Sequence, residues 1–341
     1  MSAHRLNGSH DGRSPTAVPQ GGSEAVHQAV LEVLGGVPLT EAAALIGVNP
    51  ADLKSAVDVF CKAGFHALDA RSDWWQLYVE FTDWDNAEHV VADHLLLVLT
   101  RLEGEEGLAW WFVRKHPCWR LRLRVREHAA RSVVVAVLDE LAAEGRIRRW
   151  WTGVYEPETV AFGGSAGMEA AHRLFHADSR AILGLRGRGN GALGRRETSV
   201  LLCTTLMRAA GLEWYEQGDV WDLVCRERAL PDDVLEERLR VMAVDMRALL
   251  LADIDPSGSL FGPGGAAEFA AHWAEGFRGM GITLGTTARA GRLERGLRRV
   301  LAYHVIFHWN RMGIPARTQA ALAWAASAAV LDSPVSGEPS F

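Results

Sequence analysis

The segment Trp110–Arg126, WWFVRKHPCWRLRLRVR, decides the fold of this chain. Its second half alternates arginine with leucine or valine, which is typical of a strand with one buried face. Its first half is another apolar run, and Pro117-Cys118 separates the two. Successive strand residues point to opposite faces, so four arginines are predicted to share one face of a sheet. They are Arg120, Arg122, Arg124 and Arg126.

The segments on either side extend this hairpin into a larger sheet. The pattern predicts four strands at Trp75–Phe81, Trp110–His116, Trp119–Arg126 and Arg149–Tyr155. Apolar residues at helical spacing predict helices at Trp84–Arg101 and Ala129–Ala143. The order β-α-β-β-α-β predicts a split βαβ, ferredoxin-like sheet with helices on one face.

After Glu158 the pattern becomes helical. The predicted helices are Glu169–Leu183, Glu197–Gly211, Trp214–Arg228, Asp233–Leu251, Ala266–Gly279, Thr286–Met312 and Ala316–Leu331, with breaks expected at Gly291 or at Gly313-Ile314-Pro315. The predicted fold class is therefore α+β, a ferredoxin-like sheet followed by a mainly helical half.

The two ends of the chain differ from this central part. Residues 1–24 are rich in Gly, Ser, His and Pro and predict a disordered leader, and residues 332–341 predict a loose tail. Residues 25–70 predict a helix-turn-helix-like appendage, with Thr40 and Asn49-Pro50 as helix starts. Its second helix has as many aspartates as lysines, which favours a packing or peptide-docking role over DNA binding.

Composition excludes several classes of function. The net charge is -6, so the overall charge of the chain does not attract nucleic acid or an anionic membrane. No apolar run is long enough to span a bilayer. The four cysteines are scattered without metal-ligand spacing, which predicts free thiols in the reducing cytoplasm. We expect neither a metal nor an organic cofactor.

Four arginines on one strand face repel one another unless anions accompany them. They either pair with acidic residues of a covering helix or form a site for carboxylate or phosphate, which guanidinium groups bind through two hydrogen bonds. Arg114 and Lys115 on the preceding strand add to this charge.

The sequence WWFVRKHPCWRLRLR resembles a pattern in the C-terminal domain of lantibiotic dehydratases, in which an aromatic pair, an arginine and a short turn precede His-Leu-Arg-Leu-Arg. The same domain occurs in thiopeptide-type bacteriocin biosynthesis proteins. Four further segments resemble this family in the same order: YEPETVAFGG (155–164), GMEAAHRLFHADSR (167–180), GLEWYEQGDVW (211–221) and YHVIFHWNRMG (303–313). The resemblance implies one such domain over residues 74–331.

The resemblance implies a lyase that acts on a ribosomal precursor peptide. In that family, serine or threonine is first glutamylated from glutamyl-tRNA, and elimination of glutamate then leaves dehydroalanine or dehydrobutyrine. A separate glutamylating component is the implied partner. Arg122 and Arg124 match the elimination arginines, and Arg120 stands where the pattern has histidine. Ala161 stands where some relatives have a third arginine.

Elimination needs a base for the α-proton, and histidine suits that role. The histidine of the nisin-type relatives would fall at Ile306, and His304 and His308 flank that place. We favour His308 as the proton-transfer residue. The predicted substrate-binding residues are Arg114, Arg120, His172, His176, His304, Asn310 and Arg311.

Three functions stay open at this point: elimination, an aza-[4+2] cycloaddition that forms the pyridine of thiopeptides, and non-catalytic leader binding. The absent arginine at Ala161 favours the second, and Arg122 and Arg124 favour the first.

A homodimer would cover an edge or face of the sheet. In each of the pairs Trp74-Trp75, Trp110-Trp111 and Trp150-Trp151, one member is expected in the core and the other is a candidate for a peptide groove.

Overall fold

The chain divides into two units, with the boundary between residues 71 and 72, and the described part of the first unit consists of three helices. The computed structural model describes residues 22–69, 74–125, 128–185, 193–231, 233–234, 236–255 and 257–331, so most of the predicted leader and the whole predicted tail lie outside the described residues. The helices of the first unit are α1 (Gly22–Leu34), α2 (Leu39–Leu45) and α3 (Pro50–Asp69).

The predicted helix start at Asn49-Pro50 is confirmed, because the Asn49 side-chain oxygen accepts a hydrogen bond of 2.8 Å from the amide of Ala51. The predicted cap at Thr40 is wrong, since α2 already begins at Leu39 after Pro38. A small apolar core joins the three helices through Ala29, Val30, Ala42, Ala43 and Leu53.

The second unit opens with a four-stranded antiparallel sheet. Its strands are β1 (Trp74–Phe81), β2 (Ala109–Lys115), β3 (Cys118–Arg124) and β4 (Ile147–Gly153). They lie in the order β2-β3-β1-β4, and each pairs antiparallel with its neighbours. The predicted order of strands and helices is confirmed, with strand ends shifted by one or two residues.

Two helical segments connect these strands. The first consists of α4 (Ala87–Val90), a π-helical stretch (Val91–Leu95) and α5 (Leu96–Glu106), and the second is α6 (His128–Ala143). The predicted helix at 84–101 therefore starts later and ends later, at Glu106. Gly107 follows it, and its φ of 64° suits the residue that ends a helix.

One face of the sheet forms the core with these helices. Leu77, Val79, Phe112, Leu121 and Leu123 are buried there. Burial of side chains of this size contributes about 1.5–3 kcal/mol each. The opposite face carries the arginines and is the one that the site uses.

In the described part of the second half, seven long helices follow the sheet, as the helical pattern predicts. They are α7 (Ser165–Gly184), α8 (Arg195–Ala209), α9 (Trp214–Glu227), α10 (Glu236–Leu250), α11 (Ala271–Arg289), α12 (Leu297–Met312) and α13 (Ala316–Leu331), with a short 3-10 turn at Glu268–Ala270 before α11. The mixed helix and sheet composition is confirmed.

The predicted boundary between residues 279 and 286 is wrong, because α11 continues through it and the chain breaks at Gly291 instead. Glycine in this segment serves helix packing. A side chain at Gly281 or Gly285 would lie 2.3 Å from the carbonyl oxygen of Leu206 or Ala210. The two glycines therefore let α11 approach the backbone of α8 closely.

Candidate active site

Strand register places the arginines of β3 on one face of the sheet. The face predicted for Arg120, Arg122 and Arg124 is confirmed, because each alternates with a buried apolar residue. Arg126 lies outside the described residues. Gln76 of β1 and Trp111 of β2 lie opposite Arg122 on its two sides.

Arg122 is the buried centre of this face, with 3% of its surface exposed. Its Nε donates a hydrogen bond of 2.8 Å to Oε1 of Gln76. Its guanidinium carbon lies 4.2 Å from the ring centre of Trp111 and 4.4 Å from that of Tyr155, within the range of cation–π contacts. Burial lowers the pKa of Arg122 to about 10, so the group keeps its charge at neutral pH. Its Nη1 is buried without a hydrogen-bond partner among the described residues.

His172 lies beside this cation. Its Nε2 is 2.8 Å from the hydroxyl of Tyr155, and its ring lies 4.5 Å from that of Trp74. Burial, with the positive charges of Arg122 and Arg124 in addition, lowers the pKa of His172 to about 4. The imidazole is therefore neutral at pH 7. Burial also raises the pKa of the Tyr155 phenol, which stays protonated.

Arg124 and Arg120 lie at the more open part of the face. Nη1 of Arg124 is 3.6 Å from Oε1 of Glu169, and both side chains are well exposed. The guanidinium carbon of Arg120 lies 5.5 Å from the ring centre of Tyr78. The positive charges of the face thus run from the buried Arg122 to solvent.

Arg114 makes a different set of contacts. Its Nη2 lies 2.5 Å from Oε2 of Glu88, which Arg195 also contacts, and its guanidinium stacks over Trp119. Desolvation lowers the pKa of Arg114, and the Glu88 carboxylate opposes that shift. The described contacts of Arg114 join elements of the fold, and none of them reaches Arg122.

His308 is placed in a second buried cluster, formed by α7, α11 and α12. Its Nδ1 lies 3.0 Å from both carboxylate oxygens of Asp178, while Nε of Arg311 donates to the same carboxylate at 2.6 Å and Nε1 of Trp273 at 2.9 Å. Burial raises the pKa of Asp178, but His308 and Arg311 outweigh it and hold that pKa below its usual value. Both His308 and Arg311 are fully buried.

The other predicted site residues lie around these two clusters. His304 is buried between the rings of Phe162 and Phe175, and neither of its nitrogens has a partner among the described residues. Burial lowers its pKa to about 3. Nδ1 of His176 lies 2.9 Å from the carbonyl oxygen of Trp110, and the side-chain oxygen of Asn310 accepts from Gln319 at 3.1 Å.

An aromatic cluster separates the Arg122 centre from the Asp178 centre. Its buried members are Trp74, Trp111, Val113, Tyr155, Phe162, Met168, Ala171 and Phe175. Ala161 packs against this cluster. Phe175 contacts both Trp111 and the guanidinium of Arg311, at 4.7 and 4.4 Å.

Several contributors escaped the sequence interpretation. Gln76 and Tyr155 contact Arg122 directly, and Glu158 lies close enough to influence its pKa. The sequence signal that could have identified Gln76 is a polar residue within the otherwise apolar start of the strand segment WWQLYVEF. Tyr155 follows the end of β4, and only the tertiary fold brings it over Arg122.

Within the described ranges, no three His, Cys, Asp or Glu side chains come together as a metal site would require. Within the pairs His172/His176 and His304/His308, the first two histidines and His308 each have a different partner, and the nitrogens of His304 have none among the described residues. The four cysteines are free thiols. No helix of the described chain is long and apolar enough to cross a membrane.

Comparison with known proteins gives two kinds of match. The family described as lantibiotic biosynthesis dehydratase C-terminal matches residues 74–330. Among solved structures, the tRNA-dependent lantibiotic dehydratase MibB from Microbispora sp. 107891 shares 21% identity and a TM-score of 0.58, over 76% of this chain and 28% of that one. This chain thus spans little more than a quarter of that dehydratase.

Two smaller proteins are also similar. TsrL shares 17% identity and a TM-score of 0.53, over 75% of this chain and 94% of its own. The pyridine synthase TbtD from thiomuracin biosynthesis shares 12% identity and a TM-score of 0.48, over 76% and 98%. At such identities the similarity concerns the fold alone. None of the curated proteins compared matches this sequence.

Proposed function

Because this chain belongs to the lantibiotic biosynthesis dehydratase C-terminal family, we propose that it eliminates glutamate from glutamylated serine and threonine of a ribosomal precursor peptide. The observation that carries this proposal is the pairing of a buried cation with a neutral base. Arg122 has an unpartnered Nη1, and His172 lies beside it through Tyr155. The expected products are dehydroalanine or dehydrobutyrine and free glutamate.

Each step of the elimination has a candidate group at this site. His172 takes the α-proton of the glutamylated residue, and that electron pair becomes the new Cα–Cβ double bond. The Cβ–O bond breaks, and glutamate leaves with its electrons as a carboxylate. Arg122 stabilises the negative charge that develops, as a preorganised donor in a water-poor site does. Arg124, at the open side, attracts the glutamyl carboxylates.

His308, the base that the sequence favours, remains the alternative to His172. Its full burial and its contact with Asp178 favour His172 for contact with substrate. In this proposal Asp178, His308 and Arg311 hold α7 and α12 behind the aromatic cluster. His304, His176 and Asn310 support the walls of the site, whereas the predicted substrate-binding role of Arg114 is not kept, because the strand register places Arg114 opposite Trp119 on the other face of the sheet.

The finer features of the system are proposals of the same kind. Elimination needs a glutamylated peptide, so we propose a separate glutamyl-tRNA-dependent component as partner, in the cytoplasm. The sheet order β2-β3-β1-β4 with two crossing helices supports a ferredoxin-like assignment. The N-terminal unit is proposed as a peptide-docking appendage.

Cycloaddition of two dehydroalanines is the second candidate. The specific observation in its favour is Ala161, which stands where some relatives have a further arginine and packs against the apolar cluster instead. Under this alternative Arg122 would bind a backbone carbonyl or a carboxylate of the dehydrated peptide, and no glutamate would be released.

One mass-spectrometric experiment separates these functions. The protein is incubated with a glutamylated precursor peptide and, separately, with the fully dehydrated peptide. Loss of one glutamic acid for each modified residue supports elimination. A macrocycle and free leader from the dehydrated peptide, without that loss, support cycloaddition. Binding without any mass change leaves the leader-binding function.

A further inference from the structure

The two edges of the sheet are treated differently by the rest of the chain. At β2, Nδ1 of His176 lies 3.2 Å from the amide nitrogen of Trp110, and Oγ of Ser179 accepts from the amide of Phe112 at 3.2 Å. These two α7 side chains are three residues apart, and they contact the amides of two alternate residues of β2. They therefore cover backbone groups at that edge of the sheet. No described residue hydrogen-bonds to the backbone of β4 on the side away from β1.

The open strand carries cations and an exposed indole. Arg148 and Arg149 expose about two thirds of their side chains, and both contact the single carboxylate of Glu80. Trp151 is the most exposed member of the three tryptophan pairs, at 37%. Both members of the pairs at 74–75 and 110–111 are buried, so the predicted groove-facing partner is wrong for those two pairs.

A cation–aromatic row continues from this edge across the sheet. It consists of Arg149, Trp151, Tyr78 and Arg120, in the order of contact. The rings of Trp151 and Tyr78 stack at 5.2 Å and 8°, and the two arginines lie over their outer faces at 4.9 and 5.5 Å. Gly153 of β4 permits this, because a side chain there would lie 2.5 Å from the Tyr78 ring.

The charge of this surface is opposite to that of the whole protein. The chain carries a net charge of -6, whereas this surface carries Arg120, Arg148 and Arg149, and Glu80 is the described acidic partner of Arg148 and Arg149. The surface also leads to the candidate active site. β4 ends at Gly153, and two residues later Tyr155 covers Arg122.

We infer that an extended, acidic segment of the precursor peptide binds the open edge of β4 as an additional strand. Main-chain hydrogen bonds to β4 supply affinity, as in other cases of strand addition, and the cation–aromatic row with Arg148 selects acidic side chains. This inference rests on the proposed function for the identity of the peptide. A second copy of this chain, paired through the same edge, is the competing occupant.

The probe is a fluorescein-labelled synthetic peptide of alternating glutamate and threonine, and its Kd is measured by fluorescence anisotropy. Three controls accompany it: a lysine-for-glutamate peptide, the acidic peptide N-methylated at alternate amides, and light scattering for oligomeric state. The paired substitution Arg148→Glu with Arg149→Glu is expected to weaken binding about tenfold or more. The pair Arg148→Gln with Arg149→Gln is expected to lose less affinity for the peptide, because glutamine removes the positive charge without repelling Glu80. Circular dichroism checks that both double variants are folded.

The matched control is Arg226→Glu with Arg298→Glu. These arginines are also exposed and paired with single carboxylates, and they lie on α9 and α12 instead of β4. This double variant is expected to bind within about twofold of the parent, since it changes net charge equally but not β4. The N-methylated peptide is expected to bind about tenfold more weakly than the parent peptide, because strand addition needs its amides.

Equal loss in both double variants, or equal binding of the N-methylated peptide, overturns the inference. So does a dimer that the β4 variant dissociates, because the edge is then taken by a second copy. The readout is binding and not turnover. A chain that binds the acidic peptide as expected but releases no glutamate retains the inference and loses the proposed function.

Discussion

The hydroxyl of Tyr155 lies 2.8 Å from Nε2 of His172, and the ring of the same tyrosine covers the Arg122 guanidinium at 4.4 Å. One side chain thus connects a neutral base to a buried cation. Movement of Tyr155 would change both the access to Arg122 and the orientation of the imidazole. The relationship makes His172 the histidine whose loss should affect chemistry most directly.

His172→Gln is expected to lower the rate of glutamate elimination about 100-fold or more, since a positioned general base contributes about that much. Tyr155→Phe removes only the hydroxyl and is expected to have a smaller effect on rate. Rates are measured by mass spectrometry of glutamylated peptide under single-turnover conditions.

His308→Gln is the comparison that can contradict this assignment. It removes a partner of the buried Asp178 carboxylate, so we expect a loss of stability of about 1–3 kcal/mol with elimination by the folded fraction largely retained. If His308→Gln abolishes elimination in protein that remains folded, and His172→Gln does not, the base is His308.

Arg122→Lys tests the buried cation while keeping its charge. Lysine cannot stack as a plane between Trp111 and Tyr155 or donate laterally to Gln76, so elimination is expected to fall by about 10²–10³-fold. Arg122→Ala is less informative, because the cavity and the unpaired Gln76 should cost about 2–4 kcal/mol of stability.

Arg124→Ala supplies the exposed counterpart. Because Arg124 reaches solvent, its loss should leave the urea midpoint nearly unchanged while weakening binding of glutamylated peptide. A large fall in stability for Arg124→Ala, without an effect on peptide, would indicate that the arginine is an ion-pair partner of the fold.

The sheet could be predicted because its signals are local. Alternation in WRLRLRVR fixes which residues face together, and the strand register bears this out for Arg120, Arg122 and Arg124. The boundary at residues 279–286 could not be predicted in this way. Gly281 and Gly285 resemble helix breakers in the sequence, and only the close approach of α8 explains them.

The surroundings of the site depend on contacts between distant segments. Arg114 belongs to the same basic segment as the other cations, but the β2–β3 register places it opposite Trp119 on the other face of the sheet, where it pairs with Glu88. Asp178 and His308 are 130 residues apart, so no spacing rule brings them together. The tryptophan pairs show the same limit, because Trp74 and Trp111 are buried in the aromatic cluster while Trp75 and Trp110 are buried in the main core on the other face of the sheet.

Asp178→Asn tests the buried charge cluster. The substitution leaves the Arg311 guanidinium fully buried without its counter-charge, and breaking such a pair costs about 3–5 kcal/mol. We expect a large decrease of the urea midpoint, and elimination that falls only in proportion to the folded fraction. A midpoint close to that of the parent would show that the cluster does not hold α7 and α12 together.

The two buried histidines should make the free energy of unfolding depend on pH. The pKa of His172 is about 4 and that of His304 about 3 in the folded state, against about 6.5 for an unfolded chain. Between these limits the unfolded chain binds more protons than the folded one. The stability contribution is therefore complete above pH 6.5 and is lost progressively as the pH falls, at about 1.4 kcal/mol per pH unit for each histidine.

Urea unfolding measured from pH 7.5 to 4.5 checks this expectation. His304→Leu removes one of the two groups without exposing a polar atom, so it should reduce the slope below pH 6.5 by about 1.4 kcal/mol per unit. The exposed His89 provides the control substitution His89→Gln. An unchanged slope in His304→Leu would show that the imidazole of His304 titrates alike in both states, and that its burial is not maintained in solution.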